Sequence, residues 1–462
     1  MHIHALKRRF VATVLAALAL LGTPLLLYAH ARLVRSTPAA NARLDTAPSS
    51  LTLWFSEQPE LRFTSIKLVD SAGAIISLGM VSPLTGDASA VTIPVVAHLK
   101  RGHYTIVWHT AASDGHPSSG GIAFTVLNDA GVAPSAPVPN AASTQPVPTQ
   151  SQPVGANSPV QVAPVATFST AVRWAELVSV ITMIGAIIFR LVVLPGAQWS
   201  GELTAEAGER ARRLAQAALT LFIIATLMRV VSQSELVPSE VGGRITAILS
   251  VVRETRWGHG WSVGAAGALV VLIGLVAARV RLAGWTIAAI GIVAVCTGDA
   301  LTGHPGASPH LALAVATDIT HYLGAGGWIG GLVAVVLSGL PALRIIDDAH
   351  RPQAGSQLAR AYHGAAAECV ALVLISAFVA AWLRLSSIGQ LRTTQYGGLL
   401  LLKIALVCII LLLGLYHWRR VVRPQWDPDT TFRFQRTATI ELIVGAIVLA
   451  VTAALVATAL PE

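Results

Sequence analysis

Eight apolar stretches, near 168–194, 211–231, 257–278, 282–300, 311–338, 360–383, 397–418 and 437–460, crowd the C-terminal two thirds of the chain. Each is close to the roughly 20 apolar residues a helix needs to cross a bilayer. Nothing else in the sequence restricts the fold as much, because lipid offers no partner for backbone N–H and C=O groups, so such segments span as helices. Composition agrees: the 462 residues are 54% hydrophobic and 12% charged, about half the charge of a soluble domain. The reading is an all-α polytopic membrane domain of about eight helices.

The formal charge of +9 does not indicate nucleic-acid binding. Residues 30–127 hold 7 Lys+Arg against 6 Asp+Glu, and residues 167–462 hold 22 against 16, all but Lys403 of those bases being Arg. With residues 30–127 placed outside, the cytoplasmic loops carry thirteen Arg, among them Arg210, Arg212, Arg213, Arg279 and Arg281. The external loops carry five: Arg244, Arg253, Arg256, Arg384 and Arg392. This bias follows the positive-inside rule. The stretch Arg244–Val252 reads as a re-entrant or interfacial helix.

At the N-terminus, Lys7, Arg8 and Arg9 precede an apolar run from Phe10 to Tyr28 and a small residue, Ala29. This is the pattern of an export signal over residues 1–29, with an uncleaved anchor as the alternative. Cleavage after Ala29 makes His30 a terminal residue with a free amine beside its imidazole.

Residues 30–127 read as a small all-β sandwich or barrel. Leu51, Leu53 and Phe55 alternate with Thr52, Trp54 and Ser56, the period of a half-buried strand. Further short runs at Ser65–Val69, Val91–Val95, Tyr104–Thr110 and Ile122–Val126 are separated by Gly- and Pro-rich turns, as in a sandwich. The segment has no cysteine, since Cys296, Cys369 and Cys408 all lie in apolar runs further on. Residues 128–166 are Pro/Ala/Ser/Gln-rich and aperiodic, which reads as a disordered linker. The membrane domain then occupies 167–462.

Within the β-segment, Ser113-Asp114-Gly115-His116-Pro117 places a carboxylate and an imidazole two residues apart on a turn. Imidazole, carboxylate and a terminal amine suit tetragonal Cu(II), although Asp-Gly is also a common turn pair. Together with His30-Ala-Arg-Leu-Val-Arg-Ser36, Leu51-Thr-Leu-Trp-Phe-Ser-Glu57 and Gly102-His-Tyr-Thr-Ile-Val-Trp108, this motif resembles the CopC copper-resistance family over all of 30–127. The resemblance implies a cupredoxin- or Ig-like sandwich that holds Cu(II) through His30, Asp114 and His116. Met80 is the only Met of the segment, so the Met-rich Cu(I) site of some members has no counterpart. His98, His103 and His109 lie outside the motif and read as strand or surface residues.

The spans carry Arg173, Glu176, Arg190, Arg229, Asp318, His321, His363, Glu368, Lys403 and Glu441, each costly in hydrocarbon and so in need of a reason. Glu176, Arg229 and Lys403 fall in the outer half and read as mutually neutralising. Asp318 and His321, three apart on one helical face, read either as a bonded packing pair or as a ligand or relay. Between the fourth and fifth stretches lie Asp299, His304 and His310, with no base among them, a composition suited to cation entry. From Gly303-His304 through His321-Tyr-Leu-Gly-Ala-Gly-Gly-Trp328, and again around Lys403 and Glu441, the chain resembles the CopD family. Gly324, Gly327 and Gly331 read as close-packing positions.

The resemblances imply a multi-pass protein of the bacterial cytoplasmic membrane, its β-domain on the periplasmic side, acting in copper homeostasis and not as an enzyme. Its partners are copper ions, the lipid bilayer and other periplasmic copper carriers. The expected activity is capture of Cu(II) outside and passage to the membrane domain, through Asp299, His304, His310, Asp318 and His321. The chain has neither a Gly-x-x-x-x-Gly-Lys-[Ser/Thr] nor an Asp-Lys-Thr-Gly motif, which favours import down a gradient over pumped efflux. The alternatives are a copper- or haem-dependent membrane oxidoreductase, and a copper sensor or scaffold.

Overall fold

A computed structural model describes residues 32–111, 117–128, 164–237, 243–308, 310–385, 387, 389–421 and 428–458. The proposed metal ligands His30, Asp114 and His116 lie outside these residues, as do the leader 1–29 and residues 129–163 of the expected linker.

The N-terminal part is a two-sheet sandwich. Strands β1 (Leu33–Thr37), β3 (Ser50–Phe55), β7 (Asp87–Pro94) and β6 (Ser82–Leu84) form one sheet in the order β1-β3-β7-β6. The other runs β2-β9-β8-β4-β5, with β2 at Arg43–Leu44, β4 at Ser65–Asp70, β5 at Ile75–Ile76, β8 at Gly102–Ala111 and β9 at Pro117–Val126. Alternate residues of the long strands face inward: Leu51, Leu53, Ile66, Leu68, Val91, Ile93, Ile106, Ile122 and Phe124 are buried in one core. The period-2 pattern of the sequence is thus the physical cause of the two-layer packing. Trp108 meets the edge of Phe55 with 5.4 Å between ring centroids. Its strand partner is Gly120, where a Cβ would come within 2.8 Å of the indole. The short strands β1, β2, β5 and β6 escaped the sequence reading because two to five residues show no period.

Among the described residues, eight helices are long and apolar enough to cross a membrane: Phe168–Ala197, Gly201–Ser234, Arg256–Ala277, Ala283–Leu301, Leu311–Ile345, Arg351–Arg384, Gln395–Tyr416 and Phe434–Val456. They are called the first to eighth spans below. The second span is 34 residues long, about 51 Å at 1.5 Å per residue, so it outreaches the hydrocarbon. Its first turns carry the Arg210–Glu206 and Arg213–Glu209 ion pairs. Close packing uses glycine. A Cβ on Gly330 of the fifth span would sit 1.9 Å from the Ile181 carbonyl oxygen of the first. Gly298 of the fourth span comes against the Gly264 backbone of the third, where a Cβ would lie 2.3 Å away. The expected packing role of Gly324, Gly327 and Gly331 holds, with the sixth-span residues Cys369 and Tyr362 against them.

Arg244–Glu254 forms a separate 11-residue helix, too short to span. Ile245 and Leu249 are exposed while Ser250 and Val251 are buried, so it packs one face beside the third span and exposes the other, as the interfacial reading expects. Gly258 lets the two approach, since a Cβ there would meet the Val251 carbonyl oxygen at 2.0 Å.

Candidate functional site

The site begins where the sandwich meets the spans. Strands β8 and β9 end in the pair Ala111 and Pro117, from which residues 112–116, with Asp114 and His116, depart. Beside that pair, Thr64 Oγ1 and Thr110 Oγ1 lie 2.7 Å apart, and the Ala111 carbonyl accepts from the Glu60 N–H at 2.9 Å. These bonds tie the 3-10 turn Leu61–Phe63 to the hairpin end.

The same corner is seated on the membrane domain. Phe63 and Ala111 are fully buried in a cluster with Val230 and Val237 at the end of the second span, Val251 of the interfacial helix and Trp257 of the third span. Glu60 Oε1 accepts the Arg256 N–H at 3.1 Å, and Arg62 pairs with Glu254. Burial raises the Glu60 carboxyl pKa above its ordinary value, against the smaller lowering effect of the Arg256 N–H and of the Arg256 and His259 charges.

Directly inward, the Arg229 guanidinium carbon lies 5.4 Å from the centroid of the Trp257 ring. Arg229 Nη1 donates to both oxygens of Glu176, at 2.9 and 2.8 Å, and reaches Asp299 at 3.4 Å. Arg173 Nη1 donates to Glu176 at 2.8 Å. Arg173 also grips Asp299 through two nitrogens, one of them at 2.8 Å, and the Tyr322 hydroxyl donates to the same carboxylate. Two guanidinium groups thus face two carboxylates, with side-chain exposure of 3% at Glu176 and at Asp299. A neutral, mutually bonded set is how charges survive in low dielectric. Glu176 and Arg173 lie within about 12 Å of the start of the first span. The cluster therefore sits just beneath the β-domain end of the bundle.

The five membrane residues singled out in the sequence are distributed differently from expectation. Asp299 is not in a loop: it belongs to the last turn of the fourth span and is buried. His304 opens a 3-10 turn and is buried, and His310 precedes the fifth span and is half-buried. Asp318 and His321 are not bonded as a pair. Asp318 pairs with Arg384 at 3.0 Å, and His321 Nδ1 lies 3.0 Å from Ser376 Oγ, both partners being on the sixth span. Lys403 does not join Glu176 and Arg229; its charge acts on the side of Arg384 and Asp318. Three oppositely placed helices, rather than spacing along one, decide these pairings. Among the described residues no three His, Cys, Asp or Glu side chains gather as a metal site. Sequence reasoning missed Tyr322 and Trp257. The Arg173/Glu176 spacing of three was the one local signal of the cluster, because the remaining members come from other helices.

Residues 33–127 match the CopC domain family, 165–315 the copper resistance protein D-like N-terminal domain, and 356–455 copper resistance protein D. The copper transport protein CutJ of Bacillus subtilis is 25% identical over 402 residues, covering 85% of this chain and 68% of the relative. The protein YobA of Escherichia coli is 36% identical over 113 residues, 24% of this chain and 91% of the relative. The crystal structure of CopC from Methylosinus trichosporium aligns with 22% of this chain and 100% of its own, at 25% identity and a TM-score of 0.21. The chain belongs to the CopC and CopD copper-resistance families, joined in one polypeptide. It is a copper-related multi-pass membrane protein.

Proposed function

We propose that the β-domain captures Cu(II) outside the cytoplasmic membrane and hands it to the eight-span domain for import. The ligands are His30, through its ring and the amine exposed by removal of residues 1–29, with Asp114 and His116. Residues 30–127 form the periplasmic carrier, 128–166 the tether and 167–462 the permease. Other periplasmic copper carriers are the external source of the ion.

The observation that carries this reading is the position of the Ala111–Pro117 hairpin end. Ala111 is buried in one cluster with Trp257, and the Trp257 ring lies against Arg229, which pairs with Glu176 and Asp299. Residues departing from that hairpin end start at a corner of the sandwich that is seated on the spans. A tether adds to this by keeping carrier and acceptor at high effective concentration. Beyond the cluster, His304, His310, Asp318 and His321 supply the nitrogen and oxygen donors on the inward route. The absence of a nucleotide motif in the sequence favours movement down the copper gradient or with the membrane potential.

Cu(II) titration of the mature protein, followed by electron paramagnetic resonance, tests the capture step. One tight Cu(II) per chain is expected, lost in His30→Ala or His116→Ala. Unchanged tight binding in both variants contradicts the ligand assignment.

A further inference from the structure

Among the described residues, one short stretch of the sandwich, Glu60–Phe63, makes three contacts of different kind with the spans and the interfacial helix, beside the buried Ala111. The first is apolar: Phe63, with 0% of its surface exposed, closes a pocket of Val230, Val237, Val251 and Trp257. The second is a helix cap supplied from another domain. The first N–H groups of a helix have no partner within the helix, and its N-terminus carries partial positive charge. At the third span, Thr255 Oγ1 accepts the Gly258 N–H at 2.9 Å, and Glu60 accepts that of Arg256. The third is the Arg62–Glu254 ion pair, at side-chain exposures of 46% and 42%, where solvent leaves it little strength. The plug and the cap therefore hold the contact and the ion pair adds register.

We infer that Glu60–Phe63 is an intramolecular docking plug that seats the β-domain on the interfacial helix and third span, and that delivery of copper requires this seated pose. A tether by itself raises encounter frequency but selects no orientation. The plug selects one, because the Glu60 N–H and Thr64 bond to Ala111 and Thr110, at the hairpin end from which the proposed ligands Asp114 and His116 follow in the chain. The interfacial helix has a role in this scheme that membrane crossing does not give it: Val251 and Glu254 are its contributions to the seat. The delivery clause rests on the copper-import reading, whereas the seating itself does not.

The test uses the full chain in lipid nanodiscs and in proteoliposomes. In a Cys408→Ser background, with Cys296 and Cys369 buried, the pair Arg62→Cys and Glu254→Cys is treated with a short bis-maleimide. The seated pose predicts near-complete intramolecular cross-linking. Phe63→Asp and Glu60→Lys, made separately so that neither rests on one variant's folding, lower the yield by more than about tenfold. Outside the cross-linking background they lower copper uptake by a similar factor, with the same amount of Cu(II) bound per chain. No cross-link in the parent pair overturns the seating. Loss of cross-linking with uptake unchanged overturns its role in delivery. A parent chain that cross-links but moves no copper supports the seating while contradicting the import reading, so the two failures are distinguishable.

Discussion

Arg173 in the first span and Asp299 at the end of the fourth form a two-nitrogen grip across 126 residues of sequence. The grip closes a neutral set with Glu176, Arg229 and Tyr322 beneath the seat of the β-domain. It fastens two helices at the end of the bundle on which the β-domain is seated.

Breaking the grip on one side leaves a buried charge without its partner, a loss of about 3–5 kcal/mol. Arg173→Ala and Asp299→Ala are each expected to lower the thermal unfolding midpoint of detergent-solubilised protein strongly. The double variant should lose less than the sum of the two. Additive losses would show that the two residues do not act as a pair.

Packing of the third against the fourth span predicts a different sensitivity. Gly291 and Gly298 lie against backbone, at 2.6 and 2.3 Å for an added Cβ, so Gly298→Leu forces the helices apart. Overpacking of this kind costs about 1–3 kcal/mol. Gly414, with nothing within 4 Å of an added Cβ, is the control. Gly414→Ala should leave the unfolding midpoint unchanged while Gly298→Leu lowers it; equal effects would argue against the close approach.

Docking should respond to pH through Glu60. Its pKa is raised by burial at the seat, so the seated state binds a proton more tightly than the undocked one. Seating is then strengthened as pH falls through that raised pKa and weakened as pH rises through it. Arg256 and His259 from the third span, and the Arg62–Glu254 pair beside it, are the other charges facing the group. With His259→Gln in both backgrounds, the Arg62→Cys/Glu254→Cys cross-linking yield should fall from its near-complete acid-side level as pH rises, although the thiols themselves become more reactive. Glu60→Gln should flatten that profile at its acid-side level. A pH profile unchanged by Glu60→Gln would remove Glu60 from the response.

Much of this architecture was legible in the residues. Leu51, Leu53 and Phe55 announce a strand because their period matches the pleat, and the apolar lengths announce the eight spans. The Arg244–Val252 stretch is a short helix with Ile245 and Leu249 exposed while Val251 packs inward, as an interfacial helix would. The pairings inside the membrane were less legible. Asp318 and His321 share a face, yet each found its partner on the sixth span, in Arg384 and Ser376. Lys403 likewise went to the Asp318–Arg384 side. Spacing along one helix limits which residues share a face, but tertiary packing decides which opposite face they meet. Phe63 and Glu60 gave no sequence signal as a seat, since a docking contact depends on a surface built elsewhere in the chain.

The most direct test of copper handover is radioactive copper uptake into proteoliposomes holding the mature protein, with Cu(II) supplied outside. The account predicts time-dependent accumulation by the wild type. It also predicts loss of that accumulation in His116→Ala, which removes capture, and in Phe63→Asp, which unseats a still copper-loaded β-domain. Uptake at the wild-type rate in both variants would contradict it.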